Sequence, residues 1–239
     1  MKNLQNELHI FLFFAMIKVI VNKGVLKLDL SVKAAKIVNL LENEYPDAIC
    51  ALQYTKDYEL LFATRLSAQC TDVRVNIVTK VLFQELPSLE AFAQAPIEQI
   101  ESLIKTCGLY HTKAKDLKNC AIMLLEQYDG KVPDSMTELL KLPGIGRKTA
   151  NLILGDIYHK PAIVTDTHCI RLANRIGLVH QIKDPKKVEM ALKEIIQPEK
   201  QSDFCHRLVL HGREVCTARK PYCEKCCLAS YCDFFHPQV

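Results

Sequence analysis

Leu142-Pro143-Gly144-Ile145-Gly146-Arg147-Lys148-Thr149-Ala150 is the stretch on which the fold turns. Pro143 ends a preceding helix, because the residue before a proline is pushed out of the helical region. Gly144 and Gly146 permit a tight turn with exposed backbone N–H groups. Helical periodicity resumes behind them, so the segment reads as helix, hairpin, helix. Donors at the entrance to a second helix make an anion site that can grip phosphate. The same spacing also fits an ordinary corner between helices, and a lone G-x-G does not decide. Charge placement shifts the balance. Arg147 and Lys148 open a helix, where each cation is disfavoured by about 0.3–1 kcal/mol. A locally unfavourable choice with no structural gain points to function. Arg147 suits a phosphate. Lys148 has two readings: a solvated surface lysine, or a nucleophile whose neutral form is favoured by helix-end potential, a neighbouring cation and partial burial.

Downstream, Ala162-Ile163-Val164-Thr165-Asp166-Thr167-His168 runs from an extended apolar stretch into another helix. Asp166 at that junction is a good N-cap. A carboxylate there also stays ionised and suits a cationic transition state. Thr167, His168 and Cys169 do not form a hydrolytic triad, since adjacent residues at one helix start do not converge on one reacting atom. His168 reads as a structural or phosphate-neighbouring residue.

The C-terminal tail carries Cys216-x6-Cys223-x2-Cys226-x5-Cys232. Four soft ligands in so short a span suit zinc or an iron–sulfur cluster. Neither the paired knuckles of tetrahedral zinc nor the bacterial ferredoxin run fits the spacing, so metal identity stays open at this point. Cys227 is a spare thiol beside Cys226. The loop Thr217-Ala218-Arg219-Lys220-Pro221, with its two cations, would be pinned by the metal; on its own residues it reads as an ordinary solvated charged loop.

The rest of the chain is helical in period. Val73, Ile77 and Val81, with Val78 and Leu82 beside them, repeat on one helix face. Thr71 or Asp72 stands in front as N-cap, and Pro87-Ser88 follows as a stop. Ala114, Leu117, Ala121, Leu124 and Leu125 repeat the pattern until Asp129-Gly130. Ser135 and Glu138 have the spacing of a capping box. Further helices are expected near 32–44, 57–67, 97–105, 148–157, 167–176, 185–196 and 203–213. The chain is predicted to be all-α, with no internal repeat.

Composition agrees with a globular protein and adds one anomaly. The 239 residues are 49% hydrophobic and 24% charged, with 31 Lys+Arg against 27 Asp+Glu and a net charge of +4. That charge does not announce a nucleic-acid partner by itself. Eleven cysteines, an odd number spread over a long chain, read as reduced thiols and a metal site rather than a secreted disulfide framework. Cys50, Cys107, Cys120, Cys169 and Cys205 read as core or local packing residues, while Cys70 and Cys227 stay open. Residues 8–21 are the most apolar run, but their unbroken part falls far short of a membrane span. No signal-peptide cleavage pattern follows it. No membrane association is expected.

At LPGIGRKTAN, VTDTH and the cysteine tail the sequence resembles the helix-hairpin-helix DNA glycosylases of the endonuclease III type. LSAQCTD (66–72) and IKTCGLYHTKA (104–114) resemble them too, and the likeness covers roughly residues 31–236 in the family's order and spacing. The resemblance implies two helical lobes with DNA between them. A six-helix barrel would span 50–160, and 31–49 plus 161–239 would form the other lobe around a 4Fe-4S cluster on Cys216, Cys223, Cys226 and Cys232. Residues 1–30 would be an extension of uncertain role. It implies a cytoplasmic, nucleoid-associated monomer acting on double-stranded DNA with oxidised or ring-saturated pyrimidines or abasic sites. Lys148 and Asp166 would be catalytic. Gly144, Gly146, Arg147, Arg219 and Lys220 would hold the backbone, Gln69 would fill the vacated space, Leu109 would intercalate, and Asp72 would help line the site. Polar helix-end placement is the plain alternative for Gln69, and core packing for Leu109. Three other functions remain in view. A monofunctional relative would dispense with the hairpin lysine; a non-catalytic DNA-binding module would leave Lys148 and Asp166 unexplained; a redox protein would have no use for the hairpin.

Overall fold

A computed structural model describes residues 30–236, and among these the regular structure is helical throughout, with no strand. The apolar run at 8–21 lies outside the described residues. No helix of the described residues is long and apolar enough to cross a membrane. The helices are α1 (30–44), α2 (Asp57–Leu66), α3 (Asp72–Glu85), α4 (Leu89–Gln94), α5 (Ile97–Ile104), α6 (Tyr110–Gln127), α7 (Met136–Leu139), α8 (Arg147–Asp156), α9 (Thr167–Ile176), α10 (Pro185–Ile195) and α11 (Gln201–Glu214). Short 3-10 turns at Lys105–Cys107, Pro198–Lys200, Cys223–Lys225 and Ala229–Tyr231 complete the list.

The chain divides into two compact units. One comprises 47–166 with 198–207, and so contains α2 to α8. There α6 packs on α4 and α5, while α8 packs on α2 and α7. Its core is aromatic at the centre: Phe62 and Phe92 meet edge-to-face at 4.9 Å, with Tyr58 and Phe83 against Phe92. That geometry adds to area burial by about 0.5–1.5 kcal/mol per pair. Leu60, Leu61, Leu66, Leu82, Ile100 and Ile104 are wholly buried around it.

The other unit, within the described residues, comprises 30–46, 167–197 and 208–236. Its core joins Ala34, Ile37 and Leu41 of α1 to Cys169, Leu172 and Ala173 of α9, Val188 and Leu192 of α10, and Leu208 of α11. Gly212 lets α11 close on α9, since a Cβ there would stand 2.5 Å from His168 Nδ1 and 3.0 Å from Arg171 Nη2.

Residues 47–49, 161–166 and 198–207 group with 50–160, whereas the sequence reading gave them to the other lobe. The reason is local bonding. The Val164 N–H donates to Cys205 Sγ at 3.2 Å, His206 Nε2 pairs with Asp156 Oδ1 at 2.7 Å, and Ser202 lies directly against Gly155. The α3 stripe also differs. Val75, Val78 and Leu82 are buried, whereas Val73, Ile77 and Val81 are exposed. Two apolar stripes share that helix, and periodicity alone does not say which one the core takes. Thr71 is the N-cap, its Oγ1 accepting from the Arg74 N–H. Ser135 caps α7, but Glu138 turns away to Lys141 and Tyr128 instead of closing the box. Helix α4, started by Ser88, is an addition to the expected set.

Candidate active site and cysteine centre

The hairpin is held from beneath. Gly144 has φ +73°, the left-handed region, and a Cβ there would come within 2.6 Å of both Arg65 Nε and Asp116 Oδ2. Those two side chains form an ion pair, 2.8 Å from Nε and 2.7 Å from Nη2, that joins the end of α2 to α6. Glycine is therefore required at 144 twice over, for conformation and for contact. Ile145 is buried beside it, and its N–H donates to Leu142 O at 3.2 Å. Gly146 caps α8 without a side chain, and nothing stands within 4 Å of its missing Cβ. The start of α8 thus faces outward while Ala150, Leu152 and Ile153 bury its inner side. Lys148 sits in this first turn and is exposed, so the partial burial expected for it is not found. Arg147 is half-buried at the first helical position.

Asp166 belongs to the same unit as Lys148. It is half-buried, follows the buried residues Ala162 to Thr165, and immediately precedes α9, the N-cap position. His168 is half-buried against Gly212 and Arg171, a packing role.

Gln69 and Leu109 share an unusual conformation. Their φ values are 57° and 49°, the left-handed region that side-chain-bearing residues avoid, and each such residue costs of order 1–3 kcal/mol. Both are exposed, Leu109 at 57%, so core packing is not the explanation for Leu109. The residue that holds both turns was not visible as a site in the sequence. Lys113 of α6 is wholly buried, and its Nζ donates to Leu66 O at 2.8 Å, Ala68 O at 2.7 Å and Cys107 O at 2.9 Å. One ammonium thereby caps the end of α2, the turn that carries Gln69 and the turn that carries Leu109. Burial pulls its pKa below the usual lysine value. Its signal in the sequence is register: Lys113, Leu117, Cys120 and Leu124 share one stripe, and a lysine on a core stripe needs a reason.

In the other unit the tail has turns rather than helices, with Leu228 as its buried anchor. Cys216, Cys223, Cys226 and Cys232 are half-buried. Burial pushes Cys226 up to about 11, with Cys232, Cys216 and Cys223 adding to it. Cys223 is raised by burial and by Cys216 and Cys232. The four sulfurs thus lie within one another's electrostatic reach. Cys227 is pushed up to about 11 by burial, then by Cys226 and Glu44. Arg175 is the hub. Its Nη1 donates to Cys216 Sγ at 3.3 Å and Thr217 O at 2.8 Å, its Nη2 donates to Ala218 O at 2.9 Å, and its carbonyl accepts from Cys232 Sγ. Arg171 adds bonds to Gly212 O and Cys216 O. The loop 217–220 is therefore already held by arginine, with Arg219 and Lys220 exposed on it. Buried His211 bridges Tyr45 Oη and Cys226 Sγ, and burial lowers its pKa to about 4. Thiol donors with an N–H on sulfur have the chemistry a soft-metal cluster takes; among the described residues no three or more such side chains are gathered closely enough to hold a metal ion.

Comparison with known proteins agrees with this geometry. Residues 62–198 match the model of the HhH-GPD superfamily base excision DNA repair protein. Endonuclease III of Synechocystis sp. is 44% identical over 84% of this chain and 91% of its own length. Endonuclease III of Escherichia coli strain K12 is 38% identical over 84% and 95%. A solved structure of a trapped endonuclease III–DNA covalent intermediate superposes with a TM-score of 0.82 at 37% identity, covering 86% of this chain and 97% of that one. A thermostable thymine-DNA glycosylase, 23% identical with a TM-score of 0.78, shares the fold. The chain belongs to the HhH-GPD superfamily of base excision DNA repair proteins and, within it, to the endonuclease III family.

Proposed function

We propose that this enzyme removes oxidised or ring-saturated pyrimidines from double-stranded DNA and then nicks the strand 3′ to the abasic site, with Lys148 as nucleophile. The observation that carries the reading is Lys148 itself. It stands exposed in the first turn of α8, behind a glycine hairpin braced on the Arg65–Asp116 pair, in the unit that also holds Asp166. The covalent DNA intermediate trapped in a relative supports it.

A base inside a duplex is out of reach, so the nucleotide must swing out at a cost of a few kcal/mol, less where damage weakens stacking. Backbone N–H groups at Gly144, Gly146 and Arg147 grip phosphate, and Arg219 and Lys220 add charge to a second stretch of backbone. Gln69 fills the vacated space and Leu109 wedges beside it. The Lys148 amine attacks C1′ as the glycosidic bond breaks, and the base leaves with the bonding pair and takes up a proton. The Asp166 carboxylate stabilises the positive charge that develops on the sugar. Ring opening and loss of a proton from nitrogen give a protonated Schiff base. That group acidifies C2′–H; removal of this proton expels the 3′ phosphate and breaks the C3′–O bond. Water finally releases Lys148.

Cys216, Cys223, Cys226 and Cys232 would hold a 4Fe-4S cluster whose contribution is structural, adding to the hold of Arg175 on the loop of Arg219 and Lys220. The test is a thymine-glycol duplex incubated with the protein and borohydride. Wild type gives a covalent adduct and a nick, Lys148→Ala gives neither, and Asp166→Asn slows base release. Base release by Lys148→Ala at the wild-type rate would contradict the reading.

A further inference from the structure

Cys70 and Cys107 are brought together from distant parts of the chain. Cys107 is buried at 2% exposure and Cys70 is half-buried. Cys70 lies close enough to act on the Cys107 thiol. The backbones agree: the Cys107 carbonyl and the Ala68 carbonyl, two residues before Cys70, are held by the same Lys113 Nζ. Each cysteine flanks one of the two left-handed turns. Cys70 follows Gln69, and Cys107 precedes Gly108 (φ +68°) and Leu109. One thiol is reachable from solvent and the other is protected behind it, the arrangement of an attacking and a resolving pair.

We propose that Cys70 and Cys107 are a modification site, a dithiol that exchanges with a low-molecular-weight disulfide of the glutathione class and, once closed, locks the Gln69 and Leu109 turns together. The step balances as two exchanges. The Cys70 thiolate attacks one sulfur of the small disulfide, forming a mixed disulfide and expelling one thiolate. The Cys107 thiol, losing its proton, attacks Cys70 Sγ and expels the second. The protein loses two electrons and two protons, and the small disulfide gains them as two thiols. Burial and the neighbouring Cys70 push Cys107 up to about 11, so the second exchange is the slower one. Bond formation brings the two sulfurs to covalent distance, and the displacement falls on the residues beside Gln69 and Leu109. A misplacement of about 1 Å in a positioned group costs on the order of 10²-fold in rate. The rate consequence rests on the proposed roles of Gln69 and Leu109; formation of the bond does not.

The experiment uses the full chain and oxidised glutathione as probe, followed by tryptic mapping without reductant and by single-turnover assays. The expected product is residues 66–74 linked to residues 106–113. Excision of thymine glycol should fall at least about tenfold and be restored by dithiothreitol. Cys70→Ser and Cys107→Ser should each remove the linked peptide and the oxidation-dependent loss. Cys70→Ser lies on the half-exposed partner and keeps the test usable should the buried substitution unfold the protein. A glutathione adduct on Cys70 that never closes, or a linked form with unchanged rates, overturns the proposal. A linked peptide in a protein whose reduced form releases no base would instead sink the proposed function and leave the dithiol standing.

Discussion

The two units hold their functional residues by different means. In 47–166 the hairpin and the two strained turns rest on regular helices, pinned at a few points by buried or half-buried polar side chains: Arg65, Asp116 and Lys113. In the cysteine tail no helix does this work. Arg171 and Arg175 reach out of α9 to bond successive carbonyls, and a cation–π contact of Arg175 with Phe234 at 4.9 Å and the Lys33–Asp233 ion pair tie down the far end. The first region is a packed scaffold with polar keystones. The second is a loop held in shape by side chains.

Removing a keystone should therefore act differently in the two places. The largest structural effect is expected from Cys226→Ser, which should abolish the yellow-brown colour with its iron and sulfide. It should also open 216–236 to limited proteolysis while 47–166 stays protected; a colourless zinc protein would refute the cluster. Next is Lys113→Met. Three carbonyls would lose their donor, costing about 3 kcal/mol in denaturant unfolding at roughly 1–3 kcal/mol for an unsatisfied buried group. Excision of a damaged base should fall more than incision of a preformed abasic site, and Lys113→Arg should recover part of both. A stability change within about 0.5 kcal/mol, the range of an ordinary surface substitution, would remove Lys113 from the account. Arg65→Ala leaves Asp116 unpaired beneath Gly144 and should cost about 2 kcal/mol, less than a fully buried pair because both side chains retain some exposure. Duplex affinity should weaken with it, and a change in affinity without one in stability would break that link. The smallest stability effect is expected at Leu109→Asn. Asparagine tolerates the left-handed region, so stability should hold or rise by up to about 1 kcal/mol while excision slows. Loss of stability with unchanged excision would leave Leu109 a purely structural part of its turn.

Much of the helical order was legible because apolar period, caps and stops agree along the chain, as at Thr71 before α3, Pro87-Ser88 after it and Asp129-Gly130 after α6. The hairpin was legible because two glycines next to two cations violate local preference together. What sits under the hairpin was not. Arg65, Asp116 and Lys113 are charged residues of ordinary spacing, and their meaning comes from contacts across 51 and 47 positions of chain (Arg65 to Asp116, Leu66 to Lys113). The cysteine quartet could be counted, with Cys227 set aside as a spare thiol, but that Glu44 acts on Cys227 was not legible. The buried face of α3 was lost to a second apolar stripe of equal period.

The central claim is that Lys148 forms the bond to DNA. Its most direct test is borohydride trapping on a duplex with a single thymine glycol, followed by proteolysis and mass spectrometry of the cross-linked peptide. The account requires the sugar remnant on Lys148 and no adduct from Lys148→Ala. A remnant on the N-terminal amine or on another lysine, or base release with no trappable adduct, would contradict it.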